Sequence, residues 1–197
     1  MATAMNSSEA AALRAIDLAH GQDPKQRDGR ALELIYAERL EAWMRRLCTE
    51  PSAALVISAR AQHLERWVIA RSQFPMDRPG YHRWRKAVQL RQGQRVHELL
   101  TASGCHADLA ERVRILVSKT ANRGDRDAQI LEDAACLVFL GSELAEFVAE
   151  HPDYTAEHLV DILKKSWGKM SPQARTLAGT IPFPPAHAEL IRQATAS

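Results

Sequence analysis

Apolar residues in this chain recur almost everywhere at helical spacing, and no stretch alternates convincingly between apolar and polar. Leu32, Ile35, Tyr36, Leu40, Trp43, Met44 and Leu47 show the pattern most clearly. They share one stripe of a 3.6-residue helix, which must be buried against other helices. A chain patterned this way through its 197 residues packs helix on helix, and the predicted class is an all-α bundle with short connections.

Punctuation residues set the expected element ends. Ser7 and Ser8 open a helix that runs to about residue 19, before Gly21 and Pro24. The stripe of Leu32 to Leu47 forms the second helix. Thr49 caps a third, with Pro51 in its first turn, reaching about residue 69. Pro75, Pro79 and Gly80 make 72–80 a loop. Helices are then expected over 81–102, 106–119 and 127–148, the last being the most apolar. Thr155 caps a helix to about residue 167, Ser171 caps a short one, and Ile181-Pro182-Phe183-Pro184-Pro185 leads into a final helix from about residue 186. With no repeat and no internal linker, one domain over 1–197 is expected, with disordered ends at 1–7 and 195–197.

Bulk properties narrow the setting. Cys48, Cys105 and Cys136 are widely spaced and odd in number. This argues against a disulfide framework and for a reducing, cytoplasmic setting. The start of the chain has neither a basic nor an apolar leader segment. Its longest apolar run, Ala134 to Leu140, is too short to cross a bilayer, so no membrane partner is expected.

Charge is distributed unevenly. Arg60 to Arg95 holds nine Lys and Arg against two acids, Glu65 and Asp77, a net +7 in a chain whose total is only +2. Local basicity on this scale points to an anionic ligand. Within it, a helix through 69 would place His63 on a face with Val56, Ala59 and Trp67, flanked by Arg60 and Arg66. Two guanidiniums beside a buried imidazole call for an anion, either a structural carboxylate or a phosphate. The Pro-bracketed loop with Asp77 and Arg78, followed by Tyr81, Trp84 and Arg85, offers rings and guanidiniums to stack on a base and clamp phosphate. Equally, Tyr81 and Trp84 can dock the loop on the core while Asp77 caps the next helix. Arg71 completes the candidate anion-binding set.

A second candidate lies in Gln129–Leu140. Asp133 shares its face with Ile130, Leu137 and Leu140, and Glu132 aligns with Gln129 and Cys136. A carboxylate buried there needs a metal, an arginine or strong donors. Glu38 sits away from the main stripe of its helix, where a solvated role competes with an interior one. Phosphate-cradling glycine loops, zinc-protease helices, nucleophile elbows and calcium loops are all missing from the sequence.

The segments LIYAER, AQHLERW, FPMDRPGYHRWR, LEDAACLVFL and KSWGKMS together resemble a family catalogued as domain of unknown function 4202, over nearly the whole chain. In that family a His often follows the RWR block, where this chain has Gln92-Gly93-Gln94. More distantly, the layout is similar to HD-type metal-dependent phosphohydrolases. That similarity implies a divalent metal held at Glu38, His63 and Asp133, with Glu in place of the first His and His63-Leu64 in place of the His-Asp doublet. The combined expectation is an enzyme acting on a small anionic, phosphorylated or nucleotide-like substrate. His63, Asp133, Glu132 and Asp77 are its candidate catalytic residues; Arg60, Arg66, Arg71, Arg78, Tyr81, Trp84 and Arg85 are its candidate substrate contacts. The alternatives are a non-catalytic RNA- or nucleotide-binding module and an HD-like di-iron oxygenase.

Overall fold

The structure, a computed structural model, describes residues 5–196. The chain is all-α, and its backbone divides into two compact units, Met1–Ala128 and Gln129–Ser197. The expected disorder at 1–4 and 197 lies outside the described residues. Beside it, Asn6 closes a capping box with Glu9 and the last helix continues to Thr195. Among the described residues no helix is long and apolar enough to cross a membrane.

In the first unit the helices are α1 (Ser7–His20), α2 (Leu32–Leu47), α3 (Ala53–Arg60), α4 (Arg78–Ala102) and α5 (Ala107–Val117). Ile16 of α1, Ile57 of α3, Val96 and Leu100 of α4, and Val113 and Val117 of α5 form one core, extended by Ala61 and Leu64 just beyond α3. The inward stripe of α4 runs Trp84, Val88, Gln92, Val96 and Leu100, at the i, i+4 spacing that puts side chains on one face. Gly93 lets α5 approach: a Cβ there would lie 2.7 Å from Cβ of Ser118 and 2.9 Å from the Arg114 carbonyl oxygen.

Three expectations for this unit need correction. The absence of strands fails at a two-residue hairpin, β1 (Gln26–Arg27) and β2 (Arg30–Ala31), turned by Asp28 and Gly29 at positive φ. An Asp-Gly pair suits this turn, but two-residue strands are too short to alternate. The third helix is capped by Ser52, not Thr49, and ends at Arg60 rather than near 69. His63 and Glu65 adopt left-handed backbone at φ 62 and 49, which no right-handed helix accommodates, and only short 3₁₀ turns follow at Arg66–Val68 and Arg71–Gln73. His63 therefore does not share a helix face with Val56, Ala59 and Trp67. The proline loop is also shorter than 72–80. The side chain of Asp77 accepts a hydrogen bond from Gly80 N (2.6 Å), and α4 starts at Arg78 with Pro79 in its first turn.

The second unit takes in most of α6 (Arg126–Val138), followed by α7 (Leu144–Glu150), α8 (Ala156–Lys169), α9 (Pro172–Ala178) and α10 (Pro185–Thr195). The long helix expected over 127–148 is interrupted by one π-helical turn, Phe139–Glu143. Thr155 and Ser171 cap α8 and α9 through their hydroxyls, as the sequence indicates.

Candidate functional site

The left-handed backbone at His63 turns its ring out of the α3 direction and onto α2. There it lies flat on Tyr36, with centroids 3.9 Å apart and planes inclined by 7°. Nδ1 faces the Glu33 carboxylate at 3.1 Å, and Nε2 faces Nη1 of Arg66 at 3.0 Å. A guanidinium only donates. Nε2 therefore accepts, and the proton sits on Nδ1, donated to Glu33. Burial holds the imidazole below its ordinary pKa, with the Arg66 charge acting in the same direction and Glu33 opposing it. The ring is neutral near pH 7. Burial acts to raise the Glu33 carboxyl, but the hydrogen bond from His63 and nearby positive charge more than offset this, leaving it below the usual range.

Glu33 is itself positioned. Its backbone N–H donates to Asp23 (3.0 Å), which also accepts from Lys25 N (2.9 Å), so the turn before α2 fixes the first residues of that helix. The His63 side chain remains 27 % exposed, with Arg66 covering its accepting nitrogen. Non-glycine residues in left-handed backbone are uncommon. Among the described residues four occur: Asp28 in the hairpin, and His63, Glu65 and Lys119. The Lys119 charge acts on His63, and Glu65 is two residues from it. Such strain persists where surrounding contacts over-determine it, and it concentrates at functional positions.

From His63 the cluster continues outward. The Arg66 guanidinium lies over the Trp84 ring at 5.1 Å, and Trp84 donates its indole N–H to the Ile69 carbonyl (2.9 Å). Trp84 contacts Tyr81 at 5.8 Å between centroids, and Tyr81 has Arg71 and Arg85 at 6.0 and 5.9 Å from its ring centre. Arg71 also braces the loop by donating to the carbonyls of Phe74 and Asp77.

Other candidate residues are engaged elsewhere. Arg60 pairs with Asp17 at 2.5 Å, with Glu41 at 3.4 Å and with Glu38 at 3.7 Å. Glu38 also pairs with Arg30 at 2.6 Å. Asp77 is spent as the α4 cap. In the second unit Asp133 is 2 % exposed. It accepts from Ser171 N (2.8 Å), Ser171 Oγ (2.5 Å) and Gln129 Nε2 (3.0 Å). Glu132 pairs with Lys169 at 3.0 Å, and the Cys136 thiol points at the Ser166 carbonyl at 3.6 Å. These contacts tie LEDAAC to KSWGKMS, so the Asp133 carboxylate works as a clamp on the start of α9.

These placements bear on the implied divalent metal. Guanidiniums hold Glu38, a guanidinium N–H occupies Nε2 of His63, and three donors take the oxygens of Asp133. Among the described residues no three His, Cys, Asp or Glu side chains are grouped so as to hold a metal ion. The donor set does not fit a shared cation.

Sequence reasoning missed Glu33, Tyr36 and Asp23, whose roles depend on contacts about thirty residues distant or on the hairpin turn. It also missed His20, fully buried on α1, whose Nε2 lies 2.9 Å from the Arg60 carbonyl oxygen. Gln92 is buried on α4, and its amide nitrogen has no partner among the described residues.

The chain belongs to the family described as Domain of unknown function (DUF4202). The family model matches residues 10–191, so the DUF4202 match takes in every helix from the first turn of α1 into α10. No curated protein and no solved structure matches the chain.

Proposed function

We propose that this protein is an enzyme, a hydrolase in reaction class, acting on a phosphorylated or nucleotide-like anion at His63. The observation that carries the reading is the ordered pair Glu33–His63, its free-base nitrogen facing Arg66 on a ring that keeps part of its surface in solvent. A carboxylate on Nδ1 selects the tautomer and orientation a general base needs. Burial keeps that base unprotonated at neutral pH, and one arginine stacked on an indole stands ready for an anion.

Arg66 holds Nε2 in the resting protein. A phosphoryl group competes for that guanidinium through two parallel N–H···O bonds, which are stronger than one to a neutral imidazole. Its departure uncovers the Nε2 lone pair. A water then gives its proton to Nε2 as its oxygen bonds to phosphorus. The bond from phosphorus to the leaving oxygen breaks, and that oxygen takes the proton back from the imidazolium. Glu33 stabilises the transient positive ring. The reading requires nothing of Glu38 or Asp133 beyond the contacts already given.

The test is turnover of p-nitrophenyl phosphate, bis(p-nitrophenyl) phosphate, a panel of nucleoside phosphates and a short single-stranded oligonucleotide, followed by release of nitrophenol, phosphate or shortened product. His63→Gln should lower kcat by roughly 100-fold or more, the usual scale for loss of a general base. Arg66→Ala should chiefly raise KM. Wild-type rates in both variants, or no turnover across the panel, would refute the proposal.

A further inference from the structure

Of the nine cations between Arg60 and Arg95, Arg60, Arg91 and Arg95 are bound to carboxylates, the last two to Glu65 at 2.7 and 3.1 Å. Among the described residues the other six, Arg66, Arg71, Arg78, Arg83, Arg85 and Lys86, have no carboxylate within 4.0 Å. They surround the first turns of α4. Arg78, Tyr81, Arg83 and Lys86 are exposed there, and Tyr81 keeps 41 % of its surface in solvent. This is a basic face with exposed residues along it. It is continuous with the proposed centre through Tyr81, Trp84, Arg66 and His63.

We infer that the substrate of this site is a single-stranded nucleic acid, seated with a base on Tyr81 and its backbone phosphates on Arg71, Arg78 and Arg85. The inference rests on the proposed function for its reactive end and adds the class of substrate. Several cations without a carboxylate partner around one helix start suit a chain of phosphates better than one phosphate group, since each can neutralise one charge of a repeating backbone. Tyr81, 41 % exposed with the Arg71 and Arg85 guanidiniums about 6 Å from its ring centre, offers aromatic surface on which an unpaired base of any kind can stack. Trp84 is only 8 % exposed and fixed by its indole N–H, so it supports Arg66 and Tyr81 instead of taking a base itself.

The experiment is fluorescence anisotropy of the full chain with a labelled twelve-nucleotide RNA and its DNA counterpart, across a salt series, with a duplex and inorganic triphosphate as comparisons. Tyr81→Ala should weaken single-strand binding by roughly 5- to 150-fold, the range for one lost stacked base, while leaving the salt slope unchanged. Arg71→Ala and Arg85→Ala should each reduce the slope of log affinity against log salt by about 0.7. His63→Gln should bind as wild type while losing turnover. Equal affinity for duplex or triphosphate, or Tyr81→Ala binding as wild type, overturns the inference and leaves the hydrolase reading standing. Single-strand binding with turnover indifferent to His63→Gln sinks the hydrolase reading instead. Gly141 to Asp161 carries six acids and no Lys or Arg. If concentration-dependent self-association, abolished by Arg71→Ala, accounts for the basic face and no oligonucleotide binds, the face is a protein contact and the inference fails.

Discussion

Replacing Asp133 should separate a structural carboxylate from a catalytic one. Its two oxygens accept three hydrogen bonds, two of them from the residue that caps α9. In Asp133→Ala the Ser171 and Gln129 donors lose a charged acceptor, although Gln129 is exposed and can turn to water. Hydrogen bonds to a charged group are worth about 1.5–3 kcal/mol, so the loss should be about 3 kcal/mol. At roughly 2–4 °C per kcal/mol for a chain of this size, Tm should fall by about 6–12 °C. Asp133→Asn behaves differently. Its one oxygen still accepts from Ser171 N and Gln129, and the serine hydroxyl reverses to accept from the new amide. With two bonds kept and the third reversed, all three now between neutral groups, the loss should be about 1 kcal/mol, the scale of one ordinary hydrogen bond. Tryptophan fluorescence in urea, to which Trp167 contributes, reports the same event, because the carbonyl of Trp167 accepts from Nε and Nη2 of Arg175 on α9. An Asn variant as unstable as the Ala variant, or an Ala variant within about 0.5 kcal/mol of wild type, would refute the clamp.

Gly80→Ala should displace the loop before α4, since the new Cβ would sit 2.0 Å from the Pro75 carbonyl oxygen; proteolysis near Pro75 should rise sharply, and unchanged cleavage would contradict the geometry. His20 and His63 both titrate below their ordinary 6.5 in the folded chain. Their contribution is therefore complete above about pH 6.5 and is lost as pH falls toward the lowered values. Urea midpoints should drop from pH 7 to 5, and drop less in the His20→Gln/His63→Gln double variant; an equal drop in both proteins would remove this cause. Chelator should leave Tm unchanged, because Glu38 and Asp133 are satisfied by protein donors; a chelator-dependent fall together with stoichiometric metal by elemental analysis would overturn that assignment.

The sequence was most legible where structure is local. The α2 stripe, the caps at Thr155 and Ser171, and the inward Asp133 follow from spacing and from side chains that bond within four residues of themselves. The end of α3 was not legible, because the apolar pattern continues through Leu64 and Trp67 as though the helix did. What stops it is the capture of His63 by Glu33 and Tyr36, thirty and twenty-seven positions earlier, and no periodicity encodes that. Arg60 misled in the same way: it stands beside His63 in sequence, yet its partner Asp17 is forty-three residues away. The basic excess of 60–95 was visible at once, but only the fold distinguishes cations bound to Glu65 from those left open around Tyr81.

Catalysis at this centre requires a neutral His63 whose proton sits on Nδ1 and whose Nε2 accepts. Long-range ¹H–¹⁵N NMR of the full chain, titrated from pH 8 to 4, reads both properties of that ring directly. An Nδ1–H tautomer at neutral pH and a midpoint below 6.5 are expected, with Glu33→Gln disturbing the tautomer. An Nε2–H tautomer, or a ring already protonated at pH 7, would contradict this.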